Sequence, residues 1–378
     1  MGTFPPTQCG LATFGAALVT ALAEVSPSTS VGVIDVVESA DWARRRDPRV
    51  GAELVHGATS SVPDVVAFAN QHDALIVEHE FGIYGGPDGE HVLDVIAGVS
   101  RPVVTVLHTV LGEPTPHQRT IVEQLAVMSD AVVVMSGAAN VRLLSAYAVD
   151  PATVHVVPHG AHPNTPRLGE RRRGERPTVL TWGLLGPGKG IEVGIDAMAE
   201  LRDLIPSPRY VVAGETHPKV LATSGESYRE SLRHRSIARG VDDIVEFDAS
   251  YRDVTSLNRL VRSADVVLLP YETREQVTSG VLIEAVASER PVVATDFPHA
   301  RELLAGGAGL VVPHADAGAV ARALRLALCD ARLAASMRAA ARRAAAGALW
   351  PAVARRYLDI AAQCAFHRSE VEQAGRVA

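Results

Sequence analysis

Short, continuously apolar runs rich in Val, Ile and Leu recur along the chain, each followed by a polar or glycine-bearing turn and then by a stretch with helical spacing. Strands that are apolar on both faces and alternate with amphipathic helices are the signature of βαβ units, whose parallel sheets are covered on either side. Strands are expected at 31–37, 74–78, 102–108, 131–136 and 154–158 in the first half, and at 178–182, 209–213, 244–247, 266–269 and 292–295 in the second. Helices are expected at 11–23, 191–204 and 281–287, and the chain from 331 onward is Ala- and Arg-rich and helical, with a break near Gly347 and Pro351. Between the halves, 164–177 is rich in Pro, Arg and Gly and contains Arg171-Arg-Arg173, which reads as a solvated linker or as a basic patch for an anionic acceptor. The expected division is a first domain at 1–165, a linker at 166–177, a second domain at 178–346 and a terminal helix at 347–378. The start is unusual, because Met1-Gly-Thr-Phe-Pro-Pro reaches the first glycine loop with no room for a full strand. Either that strand is very short or the start lies inside the natural reading frame.

With 378 residues, 47% of them hydrophobic, the chain is long enough for two well-filled cores. A net charge of −7 argues against general nucleic-acid binding, which needs a basic face. Cys9, Cys329 and Cys364 are far apart and have no Cys-x-x-Cys spacing, which fits a reducing cytoplasm and gives no zinc site. No apolar run reaches the ~18–20 residues of a membrane span, and no signal peptide is visible. Arg338, Arg342, Arg343, Arg355 and Arg356 lie among alanines whose faces suit packing on the first domain rather than lying on a lipid surface.

The most informative stretch is Tyr271-Glu-Thr-Arg-Glu-Gln-Val-Thr-Ser-Gly280, set between the strands expected at 266–269 and 292–295 and leading into the helix that carries Glu284. Thr278-Ser279-Gly280 brings small residues and unpaired amides to a helix start, an arrangement suited to phosphate. This segment resembles the donor-site motif of the retaining GT-B glycosyltransferases of the glycogen-synthase-like type (glycosyltransferase family 4). The family motif has two Glu flanking seven residues; here the second is Glu284, Gln276 stands at the place of the first, and Glu275 is one residue out of register. Three further stretches resemble a bacterial subgroup that includes mannosyltransferases: Pro5-Pro-Thr-Gln-Cys-Gly-Leu-Ala-Thr-Phe14, His79-Glu-Phe-Gly-Ile83 and the Thr-Ser-Gly triplet.

The loop Gly183-Leu-Leu-Gly-Pro-Gly-Lys-Gly190 nearly matches a P-loop, but Gly190 replaces the Mg²⁺-binding Ser/Thr and no later strand ends in the Asp that would hold the metal. It also resembles the family's Gly-Arg-Leu-x-x-x-Lys-Gly motif, in which Arg and Lys grip the diphosphate; Lys189 matches and Leu184 replaces the Arg. The plain alternative for Lys189 is a solvated residue at a helix start. Gly214 and Glu215 follow a second-domain strand and would line the nucleotide pocket, and Phe247-Asp-Ala-Ser-Tyr251 resembles the base-binding turn. The run 226–239 alternates Glu and Arg and reads as a solvated helix face. There is no Asp-x-Asp at a strand end, and Asp242-Asp243 sits in a turn, so no metal is expected.

In the first domain, ligands bind where strands end. His79, Glu80 and Tyr84, after the second expected strand, are acceptor-site candidates, and His108 ends the next strand, with His159 a weaker candidate for the cleft. The resemblance implies an α/β chain of the GT-B fold: two doubly wound Rossmann-like domains facing a cleft, with the last helix crossing back onto the first. It implies retaining, metal-independent transfer of a hexosyl group, with a leaning to mannosyl from GDP-mannose, onto a glycan or small-molecule hydroxyl. In that reading Gly10, Gly183 and Lys189 with the Thr278–Gly280 amides meet the phosphates, Glu284 the ribose, and His108 with Gln276 the sugar. Two rivals stay open: a sugar-nucleotide epimerase or hydrolase of the same fold, and a degenerate nucleotide-sugar sensor that the changes at Leu184 and Gln276 would allow.

Overall fold

The structure is a computed structural model that describes residues 1–39, 47–164, 176–250 and 252–377. The core of the expected linker, with Arg171-Arg-Arg173, and Tyr251 of the expected base-binding turn lie outside the described residues. The chain divides into two compact units, Met1–Gly160 with Trp350–Ala378 and Ala161–Leu349.

In the first unit the strands are β1 (Val33–Val37), β2 (Val50–Val55), β3 (Leu75–His79), β4 (Val103–Leu107), β5 (Ala131–Val134) and β6 (Val154–Val156), and all pairings are parallel. β1 pairs with β2, and β3 to β6 lie in order. Met1 and Gly2 run between the two sets. The Glu78 amide donates to Met1 O at 2.8 Å, Gly2 donates to Ile34 O at 3.2 Å, and Val36 donates to Gly2 O at 2.9 Å. Glycine is required here, since a Cβ on Gly2 would lie 2.9 Å from Cβ of Glu78. The helix Gly10–Val25 buries Phe14, Leu18 and Leu22 against Trp350, Val353, Tyr357 and Ile360 of the last helix, Trp350–Val377. The last helix thus returns to the first unit, as the fold family implies, and runs beyond residue 365.

The second unit holds β7 (Thr178–Trp182), β8 (Arg209–Ala213), β9 (Val245–Asp248), β10 (Val266–Leu269), β11 (Val292–Thr295) and β12 (Gly309–Val312) in the order β12-β11-β10-β7-β8-β9. All pairings are parallel, which makes the sheet doubly wound with its switch point between β7 and β10, where open α/β sheets take their ligands. One apolar cluster joins one face of the sheet to the helices Gly280–Ala287 and Ala331–Ala345, and another joins the opposite face to Ile191–Ala199, Ser227–Ala238 and Ala317–Cys329. Val179, Leu180, Leu268 and Val293 are fully enclosed, each burial stabilising by about 1.5–3 kcal/mol.

Three expectations are corrected. β2 and β12 were not foreseen; both are outer strands, and their partly exposed positions dilute the apolar run that marks a central strand. The helix expected at 191–204 ends at Ala199, with the following residues in turns ahead of Pro206. The Arg-rich helix Ala331–Ala345 packs in the second unit through Ala340, Ala341 and Ala345, with Arg342 paired to Glu289 at 2.6 Å. No helix among the described residues is long and apolar enough to cross a membrane.

Candidate functional site

The loops that follow β7, β8 and β10 are bonded to one another through their backbones. Leu185 N donates to Glu215 O and His217 N to Leu185 O, both at 2.8 Å, and Glu272 N donates to Gly188 O at 2.9 Å. Two contacts allow only glycine. A Cβ on Gly214 (φ +136°) would stand 2.0 Å from Gly183 O, and one on Gly190 (φ +63°) would stand 1.8 Å from Pro270 O. Glycine at these positions lets three strand ends share one surface. Gly183, Gly214 and Glu215 therefore sit together beside Lys189.

The Lys189 ammonium lies 4.6 Å from the centre of the Tyr271 ring, a cation–π contact. Burial lowers its pKa, and no carboxylate pairs with it among the described residues. Tyr271 is buried, stacks on Phe297, and accepts from Thr295 Oγ1 and His314 Nδ1 on its carbonyl. Lys189 is thus half-enclosed on a rigid aromatic base, with a positive charge that no carboxylate among the described residues pairs with.

The helix Gly280–Ala287 is capped by Ser279, whose Oγ accepts from Leu282 N. Sequence reasoning placed the Thr278–Gly280 amides on phosphate, and here a correction is needed. Ser279 N donates to the buried His299 Nδ1 at 2.8 Å, so that amide is engaged. Gly280 and Val281 keep amides without an internal acceptor among the described residues, and the buried Thr278 hydroxyl has no partner. The Gln276 side chain donates to Thr278 O at 3.0 Å, which turns its nitrogen toward the loop; Glu275 is exposed. One turn into the helix, Glu284 is desolvated, and this pushes its carboxyl up to about 7, while a hydrogen bond from Trp182 opposes the rise.

Arg229 corrects the solvated reading of 226–239. It is buried, pairs with Glu226 at 3.0 Å, and donates to Gly214 O at 2.8 Å, which fixes the turn after β8. Phe247 lies near the end of β9 under the Arg233 guanidinium, and neighbouring Asp248 accepts from Gly214 N through its carbonyl. Asp243 of the acidic pair is engaged with Arg202 at 2.6 Å. Among the described residues no group of three His, Cys, Asp or Glu side chains stands where it could hold a metal.

In the first unit, His108 follows β4 and bonds through Nε2 to the Glu78 carboxylate on β3, while its ring meets Phe14 edge-on at 4.8 Å. Glu80 receives the Thr109 hydroxyl and the Phe81 amide, tying the loops after β3 and β4 together. Two acceptor-site candidates are corrected. His79 is fully enclosed, with neither ring nitrogen hydrogen-bonded and a pKa lowered by burial, then by His108, to about 3. Tyr84 is buried against it and donates to Glu78 O at 2.9 Å. Both support the loop from inside and are out of a ligand's reach. His159 donates through Nδ1 to Gly160 O at 2.8 Å and packs on Phe14 and Trp350; burial is the main cause that lowers it to about 4. Gly10 opens its helix exposed, and no neighbour lies within 4 Å of a Cβ built on it.

Sequence reasoning missed Glu78, Trp182 and the role of Tyr271. A charge inside the apolar run Leu75-Ile-Val-Glu-His79 was a usable signal for Glu78; Trp182 reads as the end of the strand expected at 178–182, and Tyr271 as the start of the loop before the Thr-Ser-Gly triplet.

Residues 167–344 match the family described as glycosyl transferases group 1. A D-inositol 3-phosphate glycosyltransferase of Jonesia denitrificans is 32% identical over 276 residues, 66% of this chain and 63% of that protein, so the chain spans less than two thirds of that relative. A GDP-mannose-dependent alpha-(1-6)-phosphatidylinositol monomannoside mannosyltransferase of Mycolicibacterium smegmatis is 27% identical over 359 residues, 90% of this chain and 91% of that one. The solved sucrose-phosphate synthase of Thermosynechococcus elongatus has the same fold, with a TM-score of 0.74 at 18% identity over 94% of this chain and 93% of that one. The match over residues 167–344 lies in the second unit, and the chain has the GT-B fold.

Proposed function

We propose that this chain transfers a mannosyl group from GDP-mannose to a hydroxyl acceptor with retention of configuration and without a metal ion, in the cytoplasm. The observation that carries the reading is Lys189, a half-buried ammonium with no internal counter-charge at the switch point of a doubly wound sheet. A diphosphate supplies the missing negative charge, and the Gly280 and Val281 amides at the helix start add donors. Glu284, short of internal donors, takes the ribose hydroxyls; Gly214, Glu215 and Phe247 border the nucleotide. Gln276, beside the phosphate-binding turn, serves the sugar, and in the first unit His108 is held by Glu78. Of the acceptor-side groups Glu80 alone is within reach of solvent. GDP-mannose is favoured because the relative named above that matches most of the chain depends on it.

In the reaction the acceptor oxygen bonds to the sugar's anomeric carbon on the face from which the diphosphate departs. The bond from that carbon to the diphosphate oxygen breaks, and the acceptor's proton passes to the diphosphate, so no protein base is needed. Lys189 and the amides stabilise the charge that develops on the leaving group.

Thermal-shift measurements with GDP-, UDP- and ADP-sugars test the donor: GDP-mannose is expected to raise the melting temperature most, as a ligand bound only by the folded state does. Donor turnover with a panel of polyol and glycan acceptors tests the reaction. GDP release that needs no acceptor would favour the hydrolase or epimerase reading, and binding without turnover the sensor.

Transfer is further expected to continue in excess EDTA, because the positive charge at the phosphates comes from Lys189 and the helix amides. Activity lost on chelation and restored by Mg²⁺ or Mn²⁺ would refute this part of the reading.

A further inference from the structure

We propose that His299 is the positioning residue of the phosphate-binding turn. It holds the Ser279 amide inside the protein and so leaves the Gly280 and Val281 amides and the Thr278 hydroxyl to meet a diphosphate. The inference rests on the assignment of that turn to the phosphates given above. His299 stands second in the short helix Pro298–Leu304 and is 3% exposed. Proline opens that helix without an N–H, and the His299 amide is one of the helix-start donors that have no acceptor within the helix. It donates instead to Gln276 O at 3.3 Å, while the ring Nδ1 accepts from Ser279 N at 2.8 Å. One residue thus grips the turn at Gln276 and again at Ser279. An amide can only donate, so Nδ1 carries no hydrogen and the ring proton is on Nε2.

The segment that carries His299 is itself fastened to the loop after β10. Thr295 Oγ1 donates to Tyr271 O at 2.6 Å, Phe297 stacks on the Tyr271 ring, and His314 bonds through Nδ1 to Tyr271 O and through Nε2 to Asp296 O. These contacts place the imidazole independently of its own bond to the turn. On the other side, Ser279 Oγ caps the helix Gly280–Ala287 by accepting from Leu282 N at 3.3 Å. The Ser279 residue is therefore fixed through its hydroxyl and its amide together, and the next two amides follow it in direction. Without the imidazole the Ser279 N–H is a buried donor with no acceptor, which favours rotation of the turn and misaims the amides of Gly280 and Val281.

The test measures the affinity of parent, His299→Leu and His299→Asn proteins for GDP, UDP and ADP by calorimetry at neutral pH. Leucine keeps much of the volume and removes the acceptor, whereas the amide oxygen of asparagine falls where Nδ1 stood. His299→Leu is expected to bind the preferred nucleotide roughly tenfold more weakly, and His299→Asn to return within about threefold of the parent. Parent-like binding by His299→Leu, or equal weakness of the two variants, overturns the proposal and leaves the phosphate reading standing. A parent that binds none of the three nucleotides overturns the phosphate reading and the proposal with it. Should the variants not fold, the ¹⁵N-labelled parent decides. Its His299 ring should show an Nδ1 without hydrogen, and saturation with the preferred nucleotide should shift the Gly280 and Val281 amide signals more than that of Ser279. A protonated Nδ1, or a Ser279 signal that moves as far as the other two, overturns the proposal.

Discussion

Turnover by a Lys189→Ala variant is expected to fall by about 10²–10³-fold, the usual loss when one preorganised donor to developing charge is removed. The residue is suited to so large an effect because no carboxylate among the described residues pairs with it. Burial lowers its pKa, and its ammonium rests on the face of Tyr271. In the ground state a diphosphate spreads its charge over several oxygens; as the sugar bond breaks, charge gathers on the departing one, and Lys189 gains most there. The loss should therefore appear mainly in kcat, with a smaller change in KM. Circular dichroism should show an unchanged fold, since the ammonium bonds to no backbone group. Turnover within a few-fold of the parent would make Lys189 an ordinary residue at a helix start.

The second large effect is on stability. Gly190→Ala places a methyl 1.8 Å from Pro270 O at a left-handed position (φ +63°). The obstructing atom is backbone, which no rotamer change can move. The conformation costs an alanine about 1–2 kcal/mol and the overlap about 1–3 kcal/mol more, so a loss of about 2–5 kcal/mol in denaturant unfolding is expected. Gly10→Ala is the control. It introduces the same methyl at a helix start with no neighbour within 4 Å, and it should unfold like the parent. Equal stability of the two variants would show that the loops after β7 and β10 are not pressed together as described.

What the sequence reveals and what it hides follow from burial. β7, β8, β10 and β11 were legible to the residue because they lie inside the sheet, where both faces demand apolar side chains. β2 and β12 lie at sheet edges; Gly51 and Glu53 interrupt the apolar run of β2, and the run Leu310-Val-Val312 of β12 is short and follows a glycine-rich stretch. At the candidate site, Lys189 and Glu284 were singled out by the resemblance of the motifs that carry them. The errors concern direction, which spacing does not encode. His79 and Tyr84 point inward from a loop that looks polar, the Ser279 amide faces His299, and Arg229 turns from a charged helix into the interior. Glu78 matters through a side-chain hydrogen bond to His108, a residue far away in sequence.

The return of the last helix to the first unit bears on how the protein is made. Residues Ala161–Leu349 leave the ribosome before Trp350, Val353, Tyr357 and Ile360, which complete the core against Phe14 and Leu18. The second unit has all its own strands by then and can fold during synthesis. The first, although begun earlier, must wait with one side of its sheet open until the helix Trp350–Val377 is made. A released fragment that ends at residue 349 should therefore display a protease-resistant second unit beside a first unit that is readily cleaved.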